Sequence, residues 1–264
     1  MHRPNSKQGI VILYSVSSQI NYERLSHLCG RLANWYLKKP ISIIKIEPEK
    51  KNLRTFRYPN GELEKSEWNN IGRFDAYDLS PYDETLLIDS DYIVQTDNLM
   101  NYFGNDHDFM CHRESWDITG NNIFRHDRYM THNYFDMLWA TVVYFKKSKH
   151  AENIFNSWKT VYENYDYYSK LFGFSKTPFR NDYAMSIAHL LSNGYSHPIT
   201  FNHNLPALSS SDSVLDYNNK RWLLKYQYKK SHNVIRYTGD LHVMNKKSLL
   251  DVDTDIYTNL WNSI

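Results

Sequence analysis

The amino-terminal part of this 264-residue chain contains the pattern that most constrains its fold. Residues 9–16 form a short apolar run that is rich in β-branched side chains and lacks helical spacing, which predicts a buried strand. Apolar side chains then recur every three or four residues over 22–36, and this spacing predicts a helix capped by Asn21 and ended by Pro40. A second strand is expected over 41–46. This order of elements is typical of a parallel βαβ unit and therefore of an α/β fold.

The remaining elements follow from the same kind of pattern. Residues 47–66 are charged and contain turn signals, so we expect a loop or a small excursion there. A polar, flexible segment is expected over 113–131. Strands are expected at 84–94, 108–112 and 137–145, and helices at 68–79, 151–168, 181–192 and 254–264. We therefore predict a single α/β domain with a Rossmann-like mixed sheet flanked by helices.

The composition excludes several classes of protein. The 31 Lys and Arg nearly balance the 29 Asp and Glu, and a net charge of +2 is too small to bind a polyanion by bulk attraction. Cys29 and Cys111 are far apart in sequence, so neither a cysteine zinc site nor a disulfide framework is expected. No two glycines have the spacing of a phosphate-binding loop. Because the chain lacks a signal pattern and a long apolar run, we expect a soluble, cytoplasmic protein without a transmembrane segment.

Two acids interrupt one of the predicted core strands. Asp89 and Asp91 directly follow the apolar residues 86–88 and precede the apolar residues 93–94. In an open α/β sheet, ligands bind at the carboxyl ends of the strands, and two carboxylates buried there need a cation or hydrogen-bond donors. Alternate residues of an extended strand point the same way, so both acids can face one divalent ion such as Mg²⁺ or Mn²⁺. The alternative is a turn at the strand end with two solvated aspartates.

The sequence around these acids resembles the metal-binding region of GT-A glycosyltransferases, most closely the glycogenin-like family 8. The likeness rests on residues 82–99, in which a tyrosine, an apolar strand, Asp-x-Asp, a second apolar pair and Asp-Asn-Leu follow one another. Arg73 precedes Asp89 by 16 residues, where the family has a basic residue that contacts the donor. The resemblance implies a GT-A fold, with residues 1–110 as the nucleotide-sugar and metal half and 111–264 as the acceptor half.

The resemblance also implies an activity and a set of site residues. A metal-dependent glycosyltransferase of this kind moves a sugar from a nucleoside-diphosphate donor, here expected to be a UDP-sugar, to an acceptor with retention of the anomeric configuration. Asp182 resembles the family's aspartate near the reacting sugar, although an aspartate at a helix start is also a common N-cap. The end of the first strand offers ring stacking for the nucleoside, although its tyrosine could equally pack in the core. The expected catalytic residues are Asp182 and Arg73, the expected donor-binding residues are Tyr14, Ser15, Arg73, Ser90 and Lys246, and the expected ligands of Mn²⁺ or Mg²⁺ are Asp89, Asp91 and His242.

The carboxyl-terminal end of the site has two possible assignments. The family ends its site with His-x-x-Gly-x-x-Lys, and here Arg236 stands where the histidine belongs and His242 where the lysine belongs. Either His242 is the third metal ligand, with Lys246 on the diphosphate, or Arg236 meets the diphosphate and the metal has two protein ligands. We favour His242 because imidazole is a good ligand for Mn²⁺ and a guanidinium is not one.

The acceptor and one basic segment are left open by the sequence. Residues 220–232 interleave cations with aromatic side chains, which suits stacking on bases or sugars and contact with phosphates. A solvated amphipathic strand or helix explains the same pattern. The acceptor is a glycan, a protein or a modified DNA. The alternatives are a viral-type glycosyltransferase acting on hydroxymethylated DNA bases, a nucleotidyltransferase, and a non-catalytic relative that binds carbohydrate or nucleic acid. The sequence does not determine the oligomeric state.

Overall fold

The computed structural model describes residues 7–47, 72–121, 135–173, 179–218, 220–229 and 231–252, together with the backbone of 52–57, 63–68 and 129–130. The helices are α1 (Tyr22–Leu37), α2 (Ala76–Leu79), α3 (Lys149–Glu163), α4 (Tyr165–Leu171), α5 (Asn181–Asn193) and α6 (Lys246–Asp251), with 3₁₀ turns at Arg73–Asp75 and Asn98–Tyr102. The first eight strands are β1 (Gln8–Tyr14), β2 (Ile41–Lys45), β3 (Asn52–Arg57), β4 (Leu63–Trp68), β5 (Glu84–Ile88), β6 (Tyr92–Ile93), β7 (Phe109–His112) and β8 (Ser115–Asp117). The other eight are β9 (Tyr129–Met130), β10 (Phe135–Asp136), β11 (Trp139–Lys146), β12 (Leu205–Leu208), β13 (Ser213–Asn218), β14 (Arg221–Tyr228), β15 (Ser231–Tyr237) and β16 (Leu241–Val243).

The central sheet has five strands in the order β2-β1-β5-β11-β7. Strands β2, β1 and β5 are parallel, and β11 runs antiparallel to both of its neighbours. All five residues of β5 are buried, because helices cover the sheet: α1 packs on β1 and β2, while α5 packs on β11 and against α3. The predicted α/β class, with a mixed sheet flanked by helices, is confirmed.

The amino-terminal βαβ unit forms as the sequence predicts. The Asn21 side chain accepts a hydrogen bond from the backbone N–H of Arg24 and thereby caps α1. The helix ends at Lys38 in a left-handed conformation, with φ of 51°, two residues before Pro40. Strand β2 then pairs in parallel with β1. Strand β1 is also parallel to β5, so the carboxyl ends of β1 and β5 lie at the same edge of the sheet.

The expected strand over 84–94 is divided between two sheets. Strand β5 ends at Ile88, and the backbone turns so that the N–H of Tyr92 donates to the carbonyl of Asp89 at 3.1 Å. Strand β6 then pairs antiparallel with β16 in a second sheet, whose order is β6-β16-β12-β8. The two acids therefore lie in the turn between the sheets, and β16 is brought to the carboxyl end of β5.

Several expected elements differ in the structure. Residues 47–66 were expected to form a loop or a small excursion, and strands β3 and β4 pair antiparallel there as a separate two-stranded sheet. The helix expected over 68–79 is reduced to a 3₁₀ turn and α2, because Gly72, with φ of 96°, stands directly before Arg73. The helix expected over 151–168 is two helices that meet at Asn164, whose φ of −117° is not helical.

Other differences concern the polar and carboxyl-terminal segments. Strand β8 lies within the segment that was expected to be polar and flexible. Helix α6 was not predicted, and the helix predicted over 254–264 lies outside the described residues. Cys29 and Cys111 are both buried, and they form no disulfide bond with each other. None of the helices in the described ranges has the length and apolar composition that a membrane crossing requires.

Candidate functional site

Asp89, Asp91 and His242 form a cluster of possible metal ligands at the carboxyl end of β5. One ligand atom of each residue lies within 4.8 Å of those of the other two. In the part of the chain that the structure describes, this is the one group of three or more such residues. The turn after β5 places both acids, and the pairing of β16 with β6 places the imidazole beside them. Two carboxylates and an imidazole are a suitable ligand set for Mn²⁺ or Mg²⁺.

Each carboxylate of the cluster also forms an ion pair with a cation of the chain. Nη1 of Arg73 lies 2.5 Å from Oδ1 of Asp89, and Nζ of Lys246 lies 2.7 Å from Oδ2 of Asp91. The imidazole Nε2 of His242 lies 3.4 Å from the same oxygen of Asp91. The cluster thus holds acids and bases in nearly equal number, which reduces the cost of burying its charges.

Burial and these cations separate the pKa values of the two acids. Burial raises the pKa of Asp91, but the charges of Lys246 and His242 outweigh it and hold that pKa well below its usual range. Burial also raises the pKa of Asp89, and there the opposing effect of Arg73 is not sufficient to reverse the shift. Two carboxylates that share a site generally titrate apart in this way. Asp91 is therefore the firmly ionised member of the pair.

The same charges act on the two bases of the cluster. Burial lowers the pKa of His242, but Asp91 outweighs burial, so that the pKa is raised overall. The pKa of Lys246 is likewise raised, because attraction to Asp91 exceeds the effect of burial. Both bases are held in place by Asp91. A bound cation would compete with them for Asp91, whereas a diphosphate would compete with Asp91 for Lys246.

Arg73 is held by the sheet as well as by Asp89. Its side chain is 1% exposed, and its Nη2 donates to the carbonyl oxygen of Ala140 on β11 at 2.5 Å. The backbone N–H of Ala140 in turn donates to Oδ1 of Asp182 at 2.9 Å. One residue of β11, Ala140, therefore links Arg73 to Asp182, and it fixes both side chains relative to the metal-ligand cluster.

Asp182 lies in the first turn of α5 but does not cap that helix. The N-cap position is Arg180, and no side chain caps the helix there. Nη2 of Arg180 lies 2.9 Å from Oδ2 of Asp182, so the carboxylate is paired with a cation. Arg180 was not predicted as a site residue, because an arginine two residues before an aspartate carries no recognisable sequence signal.

The expected donor-binding residues lie at the same edge of the central sheet. Ile12 pairs with Ile88, so Tyr14 and Ser90 each follow that pair by two residues. Ser15 and Ser90 are buried, and Tyr14 is partly exposed. The phenol of Tyr22 also lies near the cluster: burial raises its pKa, Lys246 lowers it, and Asp91 and Asp89 raise it.

Arg236 lies away from the cluster, on a different sheet. It belongs to β15 and is paired with Leu223 of β14 in the three-stranded sheet β13-β14-β15. Of the two assignments that the sequence left open, the structure brings His242 to the acids.

No protein-family model matches the chain, and no curated protein matches it. Among solved structures, the chain is similar to the glycosyltransferase GlyE of Streptococcus pneumoniae TIGR4, with 12% identity, 72% of this chain and 45% of that chain covered, and a TM-score of 0.37. It is similar to the galactosyltransferase LgtC in complex with donor and acceptor sugar analogues, with 14% identity, 79% of this chain and 75% of that chain covered, and a TM-score of 0.44. It is also similar to a glycosyltransferase involved in glycosylation of the major capsid of PBCV-1, with 12% identity, 95% and 99% covered, and a TM-score of 0.42. The match spans less than half of GlyE, and all three TM-scores are below 0.5, a level of likeness that does not assign an activity to this chain.

Proposed function

We propose that this protein is a metal-dependent glycosyltransferase that moves a sugar from a nucleoside-diphosphate donor, most simply a UDP-sugar, to an acceptor. The observation that carries the proposal is the cluster of Asp89, Asp91 and His242, with Lys246 bound to Asp91, at the carboxyl end of β5. This edge of an open α/β sheet is where such folds bind nucleotides.

The cluster has the groups that departure of a diphosphate requires. When bound by Asp89, Asp91 and His242, Mn²⁺ or Mg²⁺ would stabilise the charge that develops on the leaving diphosphate. Lys246 lies next to the cluster and provides a second cation for the same oxygens. Arg73 holds Asp89 in place and adds a fixed positive charge below the site.

The neighbouring residues have matching roles in this proposal. Tyr14 and Ser15 follow β1 at the same edge and would contact the nucleoside, while Ser90 would contact the donor between the two metal ligands. Asp182 is held by Ala140 and Arg180, so its carboxylate is in a fixed position and is not a free base. Within the proposed function it would orient the sugar or stabilise positive charge on it.

Thermal unfolding with nucleotides tests this proposal. The wild-type protein is heated with UDP, GDP, TDP or CMP, each in the presence of Mn²⁺ and of EDTA. We expect one nucleoside diphosphate to raise the melting temperature by several degrees with Mn²⁺ and by much less with EDTA, because a ligand that binds only the folded state stabilises it. The Asp91→Asn variant should lose the shift.

Asp108→Asn is the matched control, because Asp108 belongs to another Asp-x-Asp pair and is partly exposed. This variant should keep the shift in full. Absence of a shift with every nucleotide would remove the basis for a donor site. A shift without turnover of any sugar nucleotide, including hydrolysis, would instead identify a non-catalytic relative.

A further inference from the structure

A cavity lies on the outer face of the three-stranded sheet β13-β14-β15, whose strands contribute no residue to the metal-ligand cluster. Its volume is about 380 Å³, and it is lined by Asp216, Asn218, Arg221, Leu223 and Arg236. Asp216 and Arg236 are the two cross-strand partners of Leu223, and Asn218 is the partner of Arg221. Cross-strand partners project from the same face, so the five side chains form two adjacent rows across the sheet.

The two arginines of this cavity are close enough to bind one anion together. Arg221 lies two residues before Leu223 on β14, and Arg236 is opposite Leu223 on β15, which makes the arginines diagonal neighbours. Such positions are about 7–8 Å apart, within reach of long side chains. In the described ranges, neither guanidinium forms an ion pair or a side-chain hydrogen bond. A guanidinium binds carboxylate and phosphate oxygens in pairs, and two of them beside one cavity favour an anionic ligand.

The other three lining residues indicate that the ligand has more than an anionic group. The Asp216 carboxylate would repel a simple anion, but it accepts hydrogen bonds from hydroxyl groups. Asn218 both donates and accepts, and Leu223 provides an apolar wall between the two polar rows. A ligand with one anionic group, several hydroxyls and a small apolar face satisfies all five residues.

We propose that this cavity binds an anionic sugar, that is, a sugar that carries a carboxylate or a phosphate group. The carboxylate or phosphate would lie between Arg221 and Arg236, and the ring hydroxyls would bind Asp216 and Asn218 over Leu223. The proposal stands apart from the donor site, because it uses no residue of the metal-ligand cluster. If the protein transfers sugars, the cavity would hold an acidic residue of a glycan acceptor.

The alternation of side chains along β14 argues against the binding of nucleic acid to this face. The cations Arg221 and Lys225 lie on the outer face, whereas Trp222, Tyr226 and Tyr228 occupy the opposite alternation. Trp222 is fully buried, with its ring centroid 4.3 Å from that of Tyr217. The aromatic residues of β14 that could stack on bases therefore do not share a face with Arg221 and Lys225.

Titration of the arginine side chains tests the proposal directly. The ¹⁵N-labelled protein is titrated with glucuronate, glucose 6-phosphate, glucose, inorganic phosphate and a single-stranded DNA oligonucleotide, while the arginine Nε–Hε signals are followed by NMR. Signals of Arg221 and Arg236 are assigned from R221Q and R236Q. Lys225→Gln is the matched control, because Lys225 is exposed on the same face but does not line the cavity. These side chains are on the surface, and thermal unfolding verifies that each variant remains folded.

We expect glucuronate or glucose 6-phosphate to shift the signals of both arginines saturably, with an affinity at least about tenfold above that of glucose. A preference for one of the two sugars identifies the anionic group as carboxylate or phosphate. R221Q and R236Q should each weaken binding about fivefold or more, and K225Q should not. Asp216→Asn should weaken binding of the sugar but not of inorganic phosphate. Asp91→Asn should leave sugar binding unchanged, so failure of the donor site and failure of this site are distinguishable.

Three results would overturn the proposal. Equal affinities for inorganic phosphate and the anionic sugars would indicate a simple anion site. Tighter binding of DNA that depends on both arginines and falls steeply with salt would identify a nucleic-acid surface. An equal loss of affinity in K225Q and R221Q would show that diffuse positive charge, and not the cavity, attracts the ligand.

Discussion

Two buried aspartates, Asp91 and Asp240, have opposite kinds of partner. Asp91 is held by Lys246 and faces His242, so its partners carry charge. Asp240 is held by neutral donors: its Oδ1 accepts from the backbone N–H of Gln95 at 2.7 Å, and from the N–H and hydroxyl of Thr96 at 2.8 and 3.0 Å. Both side chains are almost fully buried, with exposures of 3% for Asp91 and 6% for Asp240.

Within the proposed function, this difference separates a ligand-binding acid, Asp91, from a structural one, Asp240. The hydrogen bonds of Asp240 connect the segment after β6 to the segment before β16, and they leave no charged group for a ligand to replace. Within the proposed function, a metal ion would bind Asp91 in place of Lys246, and Lys246 would then contact the diphosphate. The proportion of charged partners around a buried acid is therefore a useful guide to its role in this molecule.

The largest effect is expected from Asp91→Asn. The substitution keeps the shape of the side chain but removes the charge that would hold a metal ion. We expect sugar transfer or donor hydrolysis to fall by about 1,000-fold or more. The free energy of unfolding should also fall, because Lys246 and His242 lose a buried, ionised partner, so an unfolding curve has to verify that the variant is folded in the assay. Turnover of the donor that shifts the melting temperature provides the measurement, and wild-type activity in this variant would contradict the role of Asp91.

Asp240→Ala should reduce stability without removing nucleotide binding. Removal of the carboxylate leaves the buried N–H groups of Gln95 and Thr96 without an acceptor, which should cost about 3 kcal/mol of unfolding free energy. Denaturant unfolding measures the loss. Asp97→Ala is the control, because Asp97 is exposed and its side chain caps nothing. If Asp240→Ala removes nucleotide binding without loss of stability, the contrast between the two acids fails.

The comparison extends to a buried base, His189, whose pKa depends on burial and on charged neighbours. Burial, and then the charge of His150, lower its pKa to about 4, and Asp136 only partly opposes them. The unfolded chain then binds more protons than the folded one below the ordinary pKa of 6.5, so stability falls as the pH falls through that range. Between about pH 7.5 and pH 5, wild type should lose about 2 kcal/mol more than His189→Gln. Denaturant unfolding at both pH values measures this difference, and parallel losses would show that His189 does not titrate as described.

The smallest effect is expected from Lys246→Gln. This substitution removes the second cation beside Asp91 but leaves the three possible metal ligands unchanged. Diphosphate affinity should fall about tenfold in the presence of Mn²⁺, a change of about 1.4 kcal/mol. Lys247→Gln is the control, since Lys247 is exposed on the same helix. A titration of both variants would sharpen the comparison by showing how much of the binding depends on Lys246 and how much on the ligand cluster.

Local patterns in the sequence were sufficient for the elements with strong periodicity. The buried run at β1, the spacing of apolar residues in α1 and the cap at Asn21 all predict what the structure contains, because each depends on neighbours a few residues away. A helix was predicted over 68–79, but the structure has a 3₁₀ turn at Arg73–Asp75, because Gly72 directly before it adopts a left-handed conformation. Asp89 and Asp91 were predicted as metal ligands because two carboxylates at the end of a buried strand need a cation or hydrogen-bond donors, and this role stays a prediction.

The sequence by itself determined the α/β class and the position of the two acids at the end of β5, since periodicity and burial are local properties. The tertiary structure decided which base meets them. His242 rather than Arg236 reaches Asp91 because β16 pairs with β6 across the second sheet, whereas β15 pairs with β14. Likewise, Trp222 and Arg221 of β14 lie on opposite faces because this segment forms a strand within a sheet, and not a helix. Contacts between residues far apart in sequence depend on strand pairing, which the local pattern of either strand does not contain.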